Sequence, residues 1–179
     1  MEKRTGKIII HAPGGTAAKG SYTYKISIPS SWIKEMGLSE DERQVELSFD
    51  GATISISKRL SVDEYVSINT AKKHNLYELL FFDGQILCTK IVANYTEKTI
   101  CIENYIDDFI RTAFGNNFIP TWNDYEMFLE DRCIPRSRAG LREYLEAIGV
   151  DKYDPLEIIQ KTEGRMSEDN QWLKVEVIK

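Results

Sequence analysis

Hydrophobic and polar residues alternate along several short stretches at the start of the chain, which predicts β-strands. Residues 22–28 alternate strictly, and Pro29 ends the run because proline lacks the amide that would continue a strand ladder. A shorter β-branched run covers residues 7–10. Two more alternating runs flank Asp50-Gly51, a pair that favours a hairpin with a type I′ turn. We therefore predict two small hairpins.

A helical period separates the two predicted hairpins. Trp32, Ile33 and Met36 fit a period of 3.6 residues and predict a helix of two turns. Either serine of the pair 30–31 can serve as its N-cap, and Gly37 is placed to end it.

Beyond residue 60 the pattern predicts a second group of strands. Ser61 and Glu64 form a capping box, which predicts a helix that runs to about His74 and joins the two groups. Asp83-Gly84 indicates another hairpin. The strands predicted around and after it cover residues 77–82, 85–92 and 98–103.

The rest of the chain is predicted to be mostly helical, with one closing strand. An N-cap residue followed by an acid three positions on occurs at Asn104 with Asp107, Thr121 with Asp124, and Asp154 with Glu157. Gly115 and Gly149 are placed to end two of these helices. Residues 172–178 alternate again, and the predicted buried face of this strand carries Leu173, Val175 and Val177.

These patterns predict an α+β chain of two domains. Residues 1–60 form the first domain, with the two small hairpins and the short helix. Residues 61–179 form an acidic α+β domain for interaction or regulation, with a small antiparallel β-meander followed by several helices. Its parts are the hairpin region 77–104, helices within 105–165 and the closing strand 172–178.

Charge divides the chain at the same place. The 179 residues carry a formal charge of −5, yet residues 1–39 hold six basic side chains against two acidic ones. Residues 61–179 hold 14 basic and 21 acidic side chains. The asymmetry indicates that the two domains meet different partners, although exposed charges are more often a solvated face.

Several classes of protein are disfavoured. No apolar run approaches the roughly 18–20 residues of a membrane helix, and the first residues lack a signal-peptide core, so we expect a cytoplasmic protein without a membrane partner. Cys88, Cys101 and Cys133 lack metal-site spacing, and we expect reduced, packed thiols and no cofactor.

Catalytic motifs are also lacking. The glycine-rich loop at 11–21 departs from a P-loop, because Lys19 precedes Gly20 instead of following a glycine and the loop leads into a strand. No arrangement typical of nucleophilic catalysis stands out, so we expect no enzyme. An enzyme with an unrecognised carboxylate site stays open as an alternative.

Four motifs of the first domain carry a resemblance to a known family. They are GKIII at 6–10, YKISIP at 24–29, WIKEMGL at 32–38 and VELSFDGATISI at 45–56. A strand ending in Ile-Pro, a two-turn helix ending in Gly-Leu and a strand–Asp-Gly–strand unit resemble the AbrB/MazE/SpoVT family of swapped-hairpin DNA-binding domains. The resemblance implies a β-barrel homodimer that binds operator DNA. Two interleaved copies would also cover apolar hairpin faces that one copy leaves wet.

The resemblance implies which side chains touch DNA. Lys25 and Lys34 fall on positions where many members carry a DNA-contacting base. Further candidates are Lys19, Lys7, Arg4 and Lys3. If Lys7, Lys19, Lys25 and Lys34 met phosphates in both copies, binding would depend on salt with a slope of about −7. The alternative is that these lysines only solubilise the domain.

The second domain offers weaker candidates for a protein partner. Three arginines near Cys133 could pair with an acidic surface, and Trp172 could anchor a partner; the arginines are Arg132, Arg136 and Arg138. Nearby acids favour an internal ion-pair network instead, and buried aromatic side chains are commoner than anchoring ones.

These observations predict a homodimeric bacterial transcriptional regulator or antitoxin. Its first domain would bind operator DNA, and its acidic second domain would bind a protein such as a cognate toxin. The alternative is a protein inhibitor, toxin-neutralising or anti-defence, that uses the first domain for dimerisation and blocks a basic surface with the second.

Overall fold

The computed structural model describes residues 2–11 and 22–178. Over these residues the chain is mixed α+β, with antiparallel sheets and five α-helices. It divides into two compact units, Met1–Arg59 and Leu60–Lys179. The loop that carries Lys19 lies outside the described residues.

The first unit consists of two separate hairpins and one short helix. Its elements are β1 (Ile9–His11), β2 (Thr23–Lys25), α1 (Ser30–Glu35), β3 (Val45–Phe49) and β4 (Ile54–Lys58). Strand β1 pairs antiparallel with β2, and β3 pairs antiparallel with β4. The strand predicted over residues 22–28 is therefore present but shorter.

The start of α1 differs from the prediction. Neither serine is the N-cap: Pro29 occupies that position, and its carbonyl oxygen accepts hydrogen bonds from the amides of Trp32 and Ile33. The helix begins at Ser30. Proline can serve as the N-cap because that position needs an extended backbone and a carbonyl acceptor, and it needs no amide donor. The predicted stop is present, since Gly37 has a φ of +69°.

The turn between β3 and β4 also differs. Phe49 pairs with Ile54, so the loop holds four residues, and the predicted type I′ turn is wrong. Of the first two loop residues only Gly51 has a positive φ, at +97°. The Asp50 carboxylate accepts hydrogen bonds from the amides of Ala52 (2.9 Å) and Thr53 (2.8 Å), which stabilises a wider loop. These bonds lower the pKa of Asp50 below its usual value.

The second unit is built on a four-stranded antiparallel sheet. Its elements are α2 (Val62–Ala71), β5 (Leu76–Asp83), β6 (Ile86–Asn94), β7 (Thr99–Asn104), a 3₁₀ turn (Phe109–Arg111), α3 (Trp122–Asp131), α4 (Leu141–Ile148), α5 (Pro155–Thr162) and β8 (Gln171–Ile178). The strand order is β7-β6-β5-β8. The closing strand β8 pairs with β5 along its whole length, from Leu76 opposite Ile178 to Asp83 opposite Gln171.

The helix predicted after Asn104 is wrong. Asn104 is the last residue of β7, and its side-chain oxygen accepts a hydrogen bond from the Thr89 hydroxyl at 2.8 Å, so it does not cap a helix. Only the 3₁₀ turn follows, and Gly115 ends no helix. The capping boxes at Ser61 and Thr121 are both present.

The sheet separates two hydrophobic clusters. Helices α3, α4 and α5 pack on one face, where Tyr125, Ile158 and Ile159 are fully buried together with Leu79. A smaller cluster lies on the other face, where Val62 and Tyr65 of α2 pack against Val92 of β6. The predicted inward face of β8 holds for Leu173 and Val175, whereas Val177 is half exposed.

Across the described part of the chain, no helix combines the length and apolar character needed to span a membrane.

Candidate nucleic-acid interface

The hairpin of β1 and β2 has two chemically different faces. Ile10 lies directly opposite Tyr24, and Ile9 lies directly opposite Lys25. Opposed residues of an antiparallel pair point to the same side, and successive residues point to opposite sides. Lys25 therefore lies together with the exposed Ile9 on the face opposite to Ile10 and Tyr24.

The apolar faces of both hairpins are uncovered. Leu47, Phe49 and Ile54 share one face of the β3–β4 hairpin and are 66%, 67% and 69% exposed. Ile10 and Tyr24 of the first hairpin are exposed to a similar degree. Among residues 2–11 and 22–59 no side chain is buried. The described part of this unit thus has no hydrophobic core of its own.

Four of the predicted DNA-binding residues are exposed and available. Lys3, Lys7, Lys25 and Lys34 make no ion pair with any described residue. Lys34 stands in the last turn of α1. Lys25 lies on one face of the hairpin, Lys3 and Lys7 precede β1, and Lys19 lies outside the described residues.

Arg4 differs from the lysines because its charge is compensated. Its guanidinium lies 2.7 Å from the Glu2 carboxylate and 5.8 Å from the centre of the Trp32 ring. The Trp32 indole donates a second hydrogen bond to Glu2 at 2.9 Å. These bonds, the one from Trp32 first and then those from Arg4, lower the pKa of Glu2. No pattern in the sequence indicated this three-residue cluster.

Arg132, a predicted partner-binding residue, lies inside the second unit. Its side chain is 10% exposed, and its guanidinium donates to Asp169 at 2.8 Å and to the side chain of Gln171. The same guanidinium lies 5.3 Å from the centre of the Phe81 ring. The arginine therefore joins the end of α3 to the start of β8 and the residues just before it.

The other predicted partner-binding residues have different surroundings. Arg136 pairs with Glu130 at 2.7 Å and lies over the Tyr153 ring, whereas Arg138 is exposed and makes no ion pair with a described residue. Trp172 stacks on Phe82 with 4.3 Å between ring centres. Arg132 and Arg136 thus fit the internal ion-pair interpretation, and Arg138 stays available to a partner.

The cysteines have the surroundings of packed thiols. Cys88 and Cys133 are buried, Cys101 is half-buried, and none forms a disulfide. Burial raises the pKa of Cys133 to about 12. Within residues 2–11 and 22–178 no group of three or more His, Cys, Asp or Glu side chains is arranged to hold a metal ion.

One exposed surface was missed by the sequence analysis. Besides Tyr105, the segment between β7 and α3 exposes four apolar side chains: Phe109, Ile110, Phe118 and Ile119. We call these four residues the Phe109 patch. The helix predicted after Asn104 would have turned some of these apolar side chains inward, so the sequence pattern did not indicate an exposed apolar surface.

Comparison of the chain with models of protein families, with curated proteins and with solved structures finds no match.

Proposed function

We propose that the chain is a homodimeric DNA-binding regulator of the antitoxin or transition-state-regulator type. Residues 1–60 bind operator DNA, and residues 61–179 bind a protein partner. The observation that carries the proposal is the two-faced hairpin of β1 and β2. One face presents Lys25 without a partner, and the other presents Ile10 and Tyr24 without a cover.

The uncovered faces support a dimer. Burying one large apolar side chain contributes about 1.5–3 kcal/mol, so a unit that leaves all of these side chains wet gains little from folding alone. A two-stranded hairpin is marginal by itself in water. A second copy can supply the missing layer, because each copy offers two exposed apolar hairpin faces. The resemblance to swapped-hairpin domains gives this pairing a known form.

The lysines support a nucleic-acid partner on the other side. An exposed ammonium that has no carboxylate nearby can meet a phosphate without first breaking an ion pair. Lys7, Lys25 and Lys34 meet this condition, and a dimer presents each of them twice. Phosphate contacts release counterions, so such binding weakens steeply as salt increases.

The test combines oligomeric state with DNA affinity. Analytical ultracentrifugation of the full chain should give twice the 20.6 kDa mass of one copy. The duplex for the binding assay is the fragment upstream of the protein's own reading frame, measured by fluorescence anisotropy at several salt concentrations. With Lys7, Lys19, Lys25 and Lys34 of both copies on phosphates, the salt slope should be about −7.

The matched variants are Lys7→Ala with Lys25→Ala, and Lys152→Ala as the control. The double variant removes four of the expected contacts in a dimer, so its slope should shrink to about −4. Lys152 is exposed in the other unit, and its removal should change nothing. A monomer in solution would overturn the dimer. Equal slopes for the wild type and the double variant would overturn the DNA role.

The second candidate is the protein inhibitor, in which the first unit serves only for dimerisation. It is favoured by the Phe109 patch, which is exposed on the acidic unit. A dimer that binds no duplex at low salt would support this candidate over the regulator.

A further inference from the structure

The two aromatic rings of the Phe109 patch are in contact. The rings of Phe109 and Phe118 meet edge to face, with 4.9 Å between their centres. Ile110 and Ile119 follow these two residues directly in the chain, and Ile110 is 90% exposed. Two segments nine residues apart therefore meet through their rings, and each exposes an isoleucine beside its ring residue.

The segment that carries the patch is held by hydrogen bonds of two buried threonines. The Thr112 hydroxyl donates to the carbonyl oxygen of Phe109 at 2.8 Å, and Thr112 is buried. The buried Thr89 hydroxyl accepts a hydrogen bond from the amide of Ala113 at 3.1 Å. Next to this amide, the Phe114 ring packs against Phe128 of α3. The exposed side chains are thus presented by an anchored backbone, which lowers the entropy cost of binding.

The charge beside the patch is acidic. Asp107 and Asp108 precede Phe109, are exposed, and make no ion pair with a described residue. The basic side chain of this segment, Arg111, is bound by Asp83 at 2.5 Å. Only one of these three carboxylates is paired with the guanidinium, so the local charge is negative.

We propose that the Phe109 patch is the surface on which the second unit binds its protein partner, and that the partner contributes a peptide segment with an aromatic or aliphatic anchor next to lysine or arginine. The proposal rests on the proposed function and names the surface and chemistry of its protein partner. The anchor packs on Ile110 and the two rings, and the basic side chain pairs with Asp107 or Asp108. Nucleic acid and anionic membranes carry the wrong charge for this surface.

The experiment selects ligands without assuming their sequence. A library of random short peptides displayed on phage is selected on the full wild-type chain, and recovered peptides are measured by fluorescence polarisation. We expect them to combine an aromatic or large aliphatic residue with a net positive charge. Ile110→Ser should weaken their binding about tenfold or more, as for the central residue of an interface. Asp107→Asn with Asp108→Asn should weaken it and reduce its dependence on salt.

The controls separate a docking surface from general stickiness and from misfolding. Ile68→Ser removes an exposed isoleucine of α2 outside the patch and should leave peptide binding unchanged. The melting temperature of Ile110→Ser should match the wild type, because that side chain is almost fully exposed. Peptides that are acidic, or that bind Ile110→Ser as tightly as wild type, would overturn the proposal, and so would a selection that yields no peptide.

The mass in solution and the duplex binding of Ile110→Ser provide two further tests. If the Ile110→Ser variant forms a particle of lower mass in solution than the wild type does, a second copy covers the patch and the proposal is wrong. Duplex binding is read separately, and Ile110→Ser should leave it intact. Loss of the DNA role with retained, Ile110-dependent peptide binding would therefore overturn the proposed regulator and leave the docking surface standing.

Discussion

The side-chain amide of Asn94 donates a hydrogen bond to the side-chain oxygen of Asn69, 3.0 Å away. Both residues are buried, and the Asn69 amide in turn donates to the carbonyl oxygen of Tyr65. The Asn94 oxygen accepts from the amides of Thr96 and Glu97 at 3.0 and 3.1 Å. One asparagine thus joins the end of α2 to the turn between β6 and β7.

Asn94→Ala should lower the free energy of unfolding of the second unit by about 2–3 kcal/mol. The substitution removes the bond between the Asn94 amide and the Asn69 oxygen, which still lies 3.0 Å from Nδ1 of His74, and it removes the acceptor of two turn amides. Each lost bond of a buried group costs roughly 1–3 kcal/mol where water cannot replace it. Urea denaturation followed by circular dichroism measures the change. Asn116→Ala, at an exposed position, is the control and should differ from wild type by less than about 0.5 kcal/mol. Equal stability of the two variants would contradict a structural role for Asn94.

Leu47→Asp should abolish the proposed dimer, because the carboxylate would stand on the apolar face that Leu47 shares with Ile56. Ser48→Asp is the matched control, since the next residue of the same strand lies on the opposite face, across from Ser55. Sedimentation velocity at equal protein concentrations gives the two masses. A dimeric Leu47→Asp variant would show that this face lies outside the interface.

Alkaline pH should destabilise the second unit through Cys133. Burial raises the pKa of this thiol from 9.0 to about 12, so the folded state holds its proton where the unfolded state loses it. The contribution is fully present below pH 9 and is lost as the pH rises towards 12. Denaturation midpoints measured from pH 8 upward should fall, and Cys133→Ala should make that fall shallower. A parallel decline in both proteins would assign it to other groups, such as Tyr95, whose pKa burial also raises to about 12.

Gly164→Ala should destabilise the second unit more than Gly149→Ala does. Both glycines have a positive φ, which costs an alanine about 1–2 kcal/mol. A Cβ at Gly164 would also lie 3.2 Å from Leu173 and 3.4 Å from Arg132, whereas at Gly149 it would meet nothing within 4 Å. The crowding should add about 1 kcal/mol. Thermal unfolding of the two variants compares strain alone with strain plus crowding, and equal melting temperatures would show that the neighbours of Gly164 yield freely.

Local signals in the sequence predicted much of the fold. The capping boxes at Ser61 and Thr121 and the alternation of β3 and β4 depend on residues close in the chain, and the structure shows each of them. The failure at Asn104 has a long-range cause. Its side chain is engaged by Thr89 on the neighbouring strand, and no local pattern contains that contact.

In the candidate site, too, features that depend on local alternation were predictable from the sequence, and features that depend on long-range contacts were not. Alternation along β2 was enough to place Lys25 on the face opposite to Tyr24. The compensation of Arg4 was not predictable, because it depends on Trp32, which lies far along the chain from Glu2. The Phe109 patch was missed because Phe109 and Phe118 meet only in the folded segment, whose backbone is held by Thr112 and Thr89.

The wet apolar faces of the two hairpins have a consequence for regulation. In the proposed dimer, folding of the DNA-binding unit and assembly are one equilibrium, so its stability depends on protein concentration. When most chains are monomers, the amount of dimer varies with the square of the chain concentration, and halving the chain lowers it about fourfold. If proteolysis removed part of the chain, the proposed dimer on the operator would then decrease by a larger factor than the total protein does. In that dimer, degradation of the chain would itself be the regulatory signal.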